Sequence, residues 1–355
     1  MGGMMPGMGM SEAEPTAADT LTRWLKLPNI GAEVDDQELS AIASAVCREY
    51  QIDRESRSEW EEQNTEALKL AKQTKEEKSY PWSGAANVKF PLIQTAAQQF
   101  AARAYPAIVR NDKVVKVALP GMDPDGEQGK RGDRIGRYMS HQLLNMMSNW
   151  EEDTDTLLHA LPIVGNAFRK TFFDPEVNHP RSELVLPDEL VVNQNAVDLE
   201  SVPRVTQIIQ LYPREVEERV RMGLFLEGEY NGGEDTAGDD DAPQVFLEQH
   251  RFWDLDGDGY SEPYIITVHE HTKSVARIVA RFDADSVEVE QDGTITRIKP
   301  IQYFTHYRFL PAPDGEFYGV GYGTLLGPIN ETINSTINQM LDAGHLANTG
   351  GGFLG

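Results

Sequence analysis

Apolar residues toward the C-terminal end recur in steps of three and four. They stand at Leu326, Ile329, Ile333, Ile337 and Met340, with Leu341 beside them. That spacing predicts a helix over 325–343 that buries one apolar stripe. Asn330, Asn334 and Asn338 recur every four residues on another face. Asn is a middling-to-poor helix former, so a row in register costs helix propensity. Two readings of the row stand: amide hydrogen bonds to a neighbouring chain or element, or a solvated polar face. Just before the helix, Gly319, Gly321 and Gly323 take alternate positions. A strand would leave them no side chain to pack. They are expected to need positive φ or to lie where another backbone approaches too closely for a Cβ.

The rest of the chain reads as follows. Residues 1–35 form a tail, with Leu21, Trp24, Leu25 and Leu27 marking one short docking helix. Residues 36–79 are helical and highly charged. Leu39, Ile42, Val46 and Tyr50 make a narrow stripe there, while Trp60, Leu68 and Leu70 are sparser. Tyr80 to Gly84 breaks the helix at Pro81, and Trp82 reads as a core anchor. A helix begins at Pro91, carries Ile93, Ala96, Ala97, Phe100, Ala101 and Ala104 for close packing, and ends at Pro106. Residues 113–119 read as a strand. A helix over 128–149 is expected to bury Ile135, Met139, Leu143, Met146 and Met147. A second, over 153–162, has acidic residues at its N-terminus, where the dipole favours them. Residues 165–173 read as an aromatic strand.

From 182 to 310 the pattern is mostly β. Strands are expected at 184–186, 190–193, 204–212, 244–253, 262–271, 275–282, 287–291, 294–299 and 302–309. Asp-Gly turns stand at Asp256-Gly257, Asp258-Gly259 and Asp292-Gly293. One helix, 213–222, stops at Gly223. Residues 231–242 form an acidic loop without an apolar side chain larger than alanine. The fold class is therefore α+β: a helical N-terminal part, a β-rich middle and a long C-terminal helix. The expected division is a tail over 1–35, a mainly helical region over 36–175, a β-rich region over 176–315, and the glycine turn with its helix over 316–355.

Charge and cysteine content narrow the partners. The chain has 355 residues, 57 acidic against 32 basic, a formal net charge of −25. A sequence-specific DNA binder shows the opposite sign. The single cysteine, Cys47, excludes an intrachain disulfide framework and fits a reducing compartment. No apolar run approaches the ~20 residues that span a bilayer, so no membrane partner is expected. The start MGGMMPGMGM lacks the basic region of a signal peptide.

Candidate chemistry is sparse. Asp254, Asp256 and Asp258 with Gly259 match the opening of an EF-hand calcium loop. The twelfth position is Ile265, where a bidentate Glu is required, so a hairpin turn is the preferred reading; incidental Ca²⁺ or Mg²⁺ stays open. His269 and His271 share a strand face and would suit Zn²⁺. No cysteine is near, and His250 and His306 join them only by assumed pairing, so an ordinary strand pair is preferred. The GVGYGT turn is not a dinucleotide fingerprint, since Thr324 takes its last glycine position. Phosphate-loop and nucleophile-elbow motifs are absent. Arg131-Gly132-Asp133 reads as helix surface. The sequons at Asn330 and Asn334 lie on a helix in the wrong compartment for glycosylation. Lys113, Lys116, Lys130, Arg131, Arg134 and Arg137 cluster, with Lys130, Arg134 and Arg137 on one helical face. That face would touch DNA or an acidic neighbour, or is simply solvated. No catalytic, cofactor-binding or metal residue is assigned, and no enzyme activity is expected. The competing classes are a metal-dependent hydrolase and a calcium-stabilised binding module, both built on Asp254 to Asp258.

Four stretches, in order, carry a resemblance: YPWSGAANVKFPLIQTAAQQF (80–100), LPIVGNAFRKTFFDP (161–175), WDLDGDGYSEPYIITVHEH (253–271) and FYGVGYGTLLGPINETINSTINQMLDAG (317–344), followed by GGGF. Together the chain resembles the portal proteins of bacteriophages, especially the short-tailed ones. The resemblance implies a structural subunit of a dodecameric homo-oligomeric ring, the head-tail connector at one capsid vertex of the virion, assembled in the host cytoplasm. It implies capsid and scaffold proteins, the terminase large subunit and tail adaptor proteins as partners. Double-stranded DNA would pass non-specifically through the channel during DNA packaging and DNA ejection. The ATP chemistry would belong to the terminase. Portal subunits of this type continue beyond the point matched by Gly355, so the chain is expected to be an N-terminal portion or the product of a split gene. In such a ring the glycine turn would set the angle at which the long helix starts. Substitution of Gly321 is then expected to harm assembly more than folding.

Overall fold

Helix-forming and strand-forming segments alternate in the computed structural model much as the periodicities predict, but several of them bury unexpected faces. The structure describes residues 17–75, 82–109, 113–119, 121–174, 178–231, 239, 241–290 and 294–348. The Tyr80-Pro81 break, most of the acidic loop over 231–242, the Asp292-Gly293 turn, the first 16 residues and the Gly-rich end lie outside them. The chain is a mixed α+β fold with N-terminal helices, central antiparallel sheets and a long C-terminal helix. It forms two compact units, one from 1–50 and 203–301, the other from 51–202 and 302–355.

In the first unit, β4 (Arg204–Leu211), β5 (Gln244–Trp253), β6 (Glu262–His269) and β7 (Ser274–Ala280) pair antiparallel in that order. The short strands β8 (Val287–Val289) and β9 (Ile295–Ile298) form a separate ribbon. Helix α1 (Ala17–Trp24) and the start of α2 (Asp36–Ser56) supply apolar residues to this unit. Ile42, Val46 and Tyr50 of the expected stripe are buried. Trp24 meets Tyr264 edge-on at 6.4 Å. Asn29 is buried but fully used. Its Nδ2 donates to the Leu224 and Ala276 carbonyls at 3.1 and 3.0 Å, and its Oδ1 accepts from Gly31 and Ile278 N–H at 3.0 Å. A buried amide with every partner met fixes the loop before α2 against β7. Helix α7 (Pro213–Arg221) ends as expected, with Gly223 at φ +71°.

The second unit packs α3 (Ser58–Ala71), α4 (Leu92–Ile108), α6 (Trp150–Val164) and α8 (Tyr322–Asn348) together with a sheet ordered β10-β1-β2. These strands are β1 (Asn166–Asp174), β2 (His179–Val185) and β10 (Phe304–Arg308), and a further short strand, β3 (Leu190–Val191), follows β2. Ala97 and Ala101 of α4 are buried, and Ala101 packs with Leu157, Leu158 and Leu161 of α6. Glu151, Glu152 and Asp153 occupy the first turn of α6 as its dipole favours.

Four expectations need correction. Pro106 does not end α4. A proline near the C-terminal turn removes one intrahelical bond only, and the helix closes with Val109 N–H on the Tyr105 carbonyl at 2.8 Å. Trp82 is no core anchor; it is 40% exposed. Residues 113–119 are extended but have no ladder partner among the described residues. They lie along α5 (Glu127–His141), where Val114 and Val115 N–H donate to Ser140 Oγ at 3.2 and 3.1 Å. Lastly, α5 buries Gly132, Gly136 and Ser140, while Ile135 and Met139 face outward. A Cβ on Gly136 would stand 3.0 Å from the Val115 carbonyl, so only a small residue lets this backbone come so close.

Candidate functional site

The long helix α8 buries its polar row more deeply than its apolar stripe. Its buried face is Gly327, Asn330, Asn334, Asn338 and Asp342. Leu326, Ile333 and Ile337 are half-buried, while Ile329 is 53% and Met340 70% exposed. The amide row therefore has partners, and they lie within the chain. Oδ1 of Asn330, Asn334 and Asn338 accepts from the backbone N–H of Leu92, Phe90 and Val88 at 3.2, 2.6 and 2.7 Å. Asp342 Oδ1 extends the series to Ala86 N–H at 2.7 Å. Asn338 Nδ2 also donates back to the Val88 carbonyl at 3.1 Å.

The geometry explains the spacing. Four helical residues rise about 6.0 Å. Two extended residues rise about 6.6 Å. A side chain at every fourth helix position thus stays in step with every second N–H of an antiparallel extended segment. The segment over 86–92 pairs with no strand among the described residues, and the Asn row supplies acceptors of the kind a sheet would provide. Beside the ladder lies an open groove of about 430 Å³, with Glu66, Lys69, Lys89 and Glu331 on its walls. Its mixed charges and open shape suit water and ions better than an enclosed small molecule.

The glycine turn is a crossing of two backbones. A Cβ on Gly321 would fall 2.3 Å from the Ile163 carbonyl oxygen and 2.6 Å from the Gly165 nitrogen. On Gly319 it would fall 2.7 Å from the Leu310 carbonyl oxygen, and on Gly323 2.1 Å from Ala67 Cβ. None of these three glycines has positive φ, so close approach is the operative reason. Gly165, with φ +86°, ends α6 at the same crossing. Asn166 clamps it: Oδ1 accepts from Gly319 N–H at 2.7 Å and Nδ2 donates to the Gly319 carbonyl at 3.0 Å. His306, stacked between Phe168 and Phe317 at 4.6 and 4.5 Å, donates from Nε2 to the same Asn166 Oδ1 at 3.0 Å. Burial pushes this imidazole down to about 4, helped by Arg308.

The remaining sequence candidates separate. Asp254, Asp256 and Asp258 do converge, each offering a carboxylate oxygen within 4.8 Å of the others. His269 and His271 do not share a strand face, because β6 ends at His269 and His271 lies exposed in the turn beyond. His269 is buried, bonded through Nδ1 to Thr272 Oγ1 at 2.7 Å and pushed down to about 4 by burial and His271. His250 bonds Glu248 through Nε2 at 3.1 Å, and His306 belongs to the other unit. No histidine zinc set results among the described residues. Lys130, Arg134 and Arg137 are exposed on α5, with Lys130 paired to Glu127 at 2.9 Å.

No family model matches the chain, and no curated protein matches it.

Sequence reasoning missed Asp342 as the fourth rung of the ladder and Asn166 as the clamp on the glycine crossing. Asp342 stands four residues after Asn338, so the period alone would have found it. Asn166 has no such signal, since its partners lie 153 residues away. Glu262, buried beside the Asp turn, was read only as a strand start.

Proposed function

We propose that the chain is a subunit of a viral portal ring, a structural protein and not an enzyme. The observation that carries this reading is the exposed apolar row of α8. The helix is 27 residues long, or about 40 Å at the standard rise. Its polar row is consumed inside the subunit, while Leu325, Ile329, Met340 and Leu346 are exposed on the opposite side, with Thr332 and Thr336 between them. Several large apolar residues exposed along one side of a long helix favour that side as a surface for another protein. Packed head to tail against a different surface of the next copy, it would close a ring. The outward Ile135, Tyr138 and Met139 of α5 support the same reading. The order of the four motifs resembling portal proteins names the kind of ring. A net charge of −25 per subunit suits a channel that lets duplex DNA slide without gripping its phosphates. Terminase, capsid, scaffold and tail proteins are its proposed partners.

Negative-stain microscopy with light scattering tests the proposal. Rings with a central hole are expected, and the Ile329→Lys, Met340→Lys double variant should lose them while melting normally. A protein that stays monomeric at high concentration, or rings untouched by that double variant, would count against it.

A further inference from the structure

The loop that joins β5 to β6 holds more negative charge than a turn needs. β5 ends at Trp253, β6 starts at Glu262, and these two residues are paired across the ladder. Between them Asp254 accepts from Gly257 and Gly259 N–H at 2.8 and 3.1 Å. Asp256 and Asp258 each accept one further loop N–H, from Asp258 and Tyr260. These bonds shape the loop, with Gly257 and Gly259 at φ +75° and +92°. They do not use all the oxygens. Asp256 Oδ2 is buried without a donor.

A separate observation points to a ligand. Glu262 is 0% exposed, and its Oε1 has no donor at all. Its Oε2 takes the Tyr264 hydroxyl at a long 3.3 Å. Its carboxylate faces the loop, where the Leu255 N–H meets it and the charges of Asp256 and Asp258 act on it. A buried carboxylate left unpaired beside other carboxylates is costly unless a proton or a cation joins them.

We propose that Asp254, Asp256, Asp258 and Glu262 form a binding site for a hard divalent cation of the size of Ca²⁺. All the donors are oxygens, which suits Ca²⁺ or Mg²⁺ and not the softer metals. Counted from Asp254, the carboxylates stand at positions one, three, five and nine of an EF-hand order, with glycine at six. Position nine in that order commonly reaches the ion through water. Position twelve, Ile265, lies within β6. Only the three aspartates converge within 4.8 Å, so Glu262, from the strand, would reach the ion through water, and a β-hairpin replaces the two helices. Ca²⁺ tolerates such irregular shells, whereas Mg²⁺ demands near-ideal octahedral geometry. With no bidentate ligand at position twelve, the affinity belongs in the weak class, on the order of 10⁻⁴ M. The bound ion would tie the end of β5 to the start of β6. This inference stands apart from the portal reading, and each can fail without the other.

The test uses the full chain after chelation. Tb³⁺ luminescence, excited through Trp253 and Tyr260, should rise on titration and fall when Ca²⁺ competes. At about 10 mM Ca²⁺, roughly a hundredfold over the dissociation constant, melting should rise by about 5 °C. The same concentration of Mg²⁺ should do clearly less. Asp258→Asn, at an exposed ligand, should fold normally and lose most of the response. Glu262→Gln should melt higher than the parent without calcium, since it removes an unpaired buried charge, and should no longer respond. Absence of a Tb³⁺ signal in the parent, an equal effect of Mg²⁺, or unaltered calcium responses in both variants would each overturn the proposal.

Discussion

Asn338→Ala isolates the ladder between α8 and the extended segment, because Asn338 makes two of its bonds. The substitution leaves Val88 N–H and Val88 carbonyl without their partner. An orphaned buried backbone group costs about 1–3 kcal/mol. Both groups are part-buried, so water recovers some of this and the low end applies, ~2 kcal/mol for the pair. Alanine returns up to about 0.7 kcal/mol of helix propensity. The net expectation is a loss of ~1.5 kcal/mol. Asn330→Ala should cost less, since its bond is longer and its Nδ2 has no acceptor to lose. Ile329→Ala, on the face exposed in the dissociated subunit, should stay within about 0.5 kcal/mol of the parent subunit. Urea denaturation supplies the energies, and amide exchange supplies the location. Val88 and neighbouring amides over 86–92 should exchange faster in Asn338→Ala, while the amides of β5 should not. If Asn338→Ala is no worse than Ile329→Ala, or if the Val88 amide keeps its protection, the ladder reasoning is wrong.

The other predictions concern the core of each unit. Gly321→Ala forces a Cβ against two backbone atoms that cannot yield, so it should destabilise the isolated subunit by ~3 kcal/mol or more. A variant with normal melting and a defect in ring yield alone would refute this and restore the expectation drawn from the sequence. His306 is held down near 4 against about 6.5 when unfolded. The unfolded chain then binds the proton first as pH falls. The stability this group contributes is complete above pH 6.5 and is lost between pH 6.5 and 4. His306→Gln should flatten the fall in melting temperature over that window, and an unchanged slope would count against the reasoning. Cys47 is buried, and burial pushes its thiol up. Thiol labelling at pH 8 should track unfolding of the first unit, so labelling of the folded protein as fast as of the unfolded chain would contradict the burial.

Local pattern settled most of the elements, the expected strand over 113–119 being the exception. The α2 stripe of Ile42, Val46 and Tyr50, the β5 limits at Gln244 and Trp253, and the stop of α7 at Gly223 were all legible. Each rests on neighbours in the chain, through periodicity, alternation or a glycine free to take positive φ. The existence of α8 was equally legible, while its Asn row read equally well as bonded or solvated. Which face of α8 is inside was not legible. Hydrophobicity predicts burial only where the partner is apolar, and the partner here is an extended backbone with N–H groups to satisfy. The same reason hid the buried face of α5, where Gly132, Gly136 and Ser140 admit a close backbone. It also hid the meaning of Gly321, whose clash partner Ile163 lies far away in sequence. The sequence by itself determined the elements and their class. Tertiary structure alone decided which polar rows and glycines are interior, because the groups they answer to are main-chain atoms, and every residue type carries the same ones.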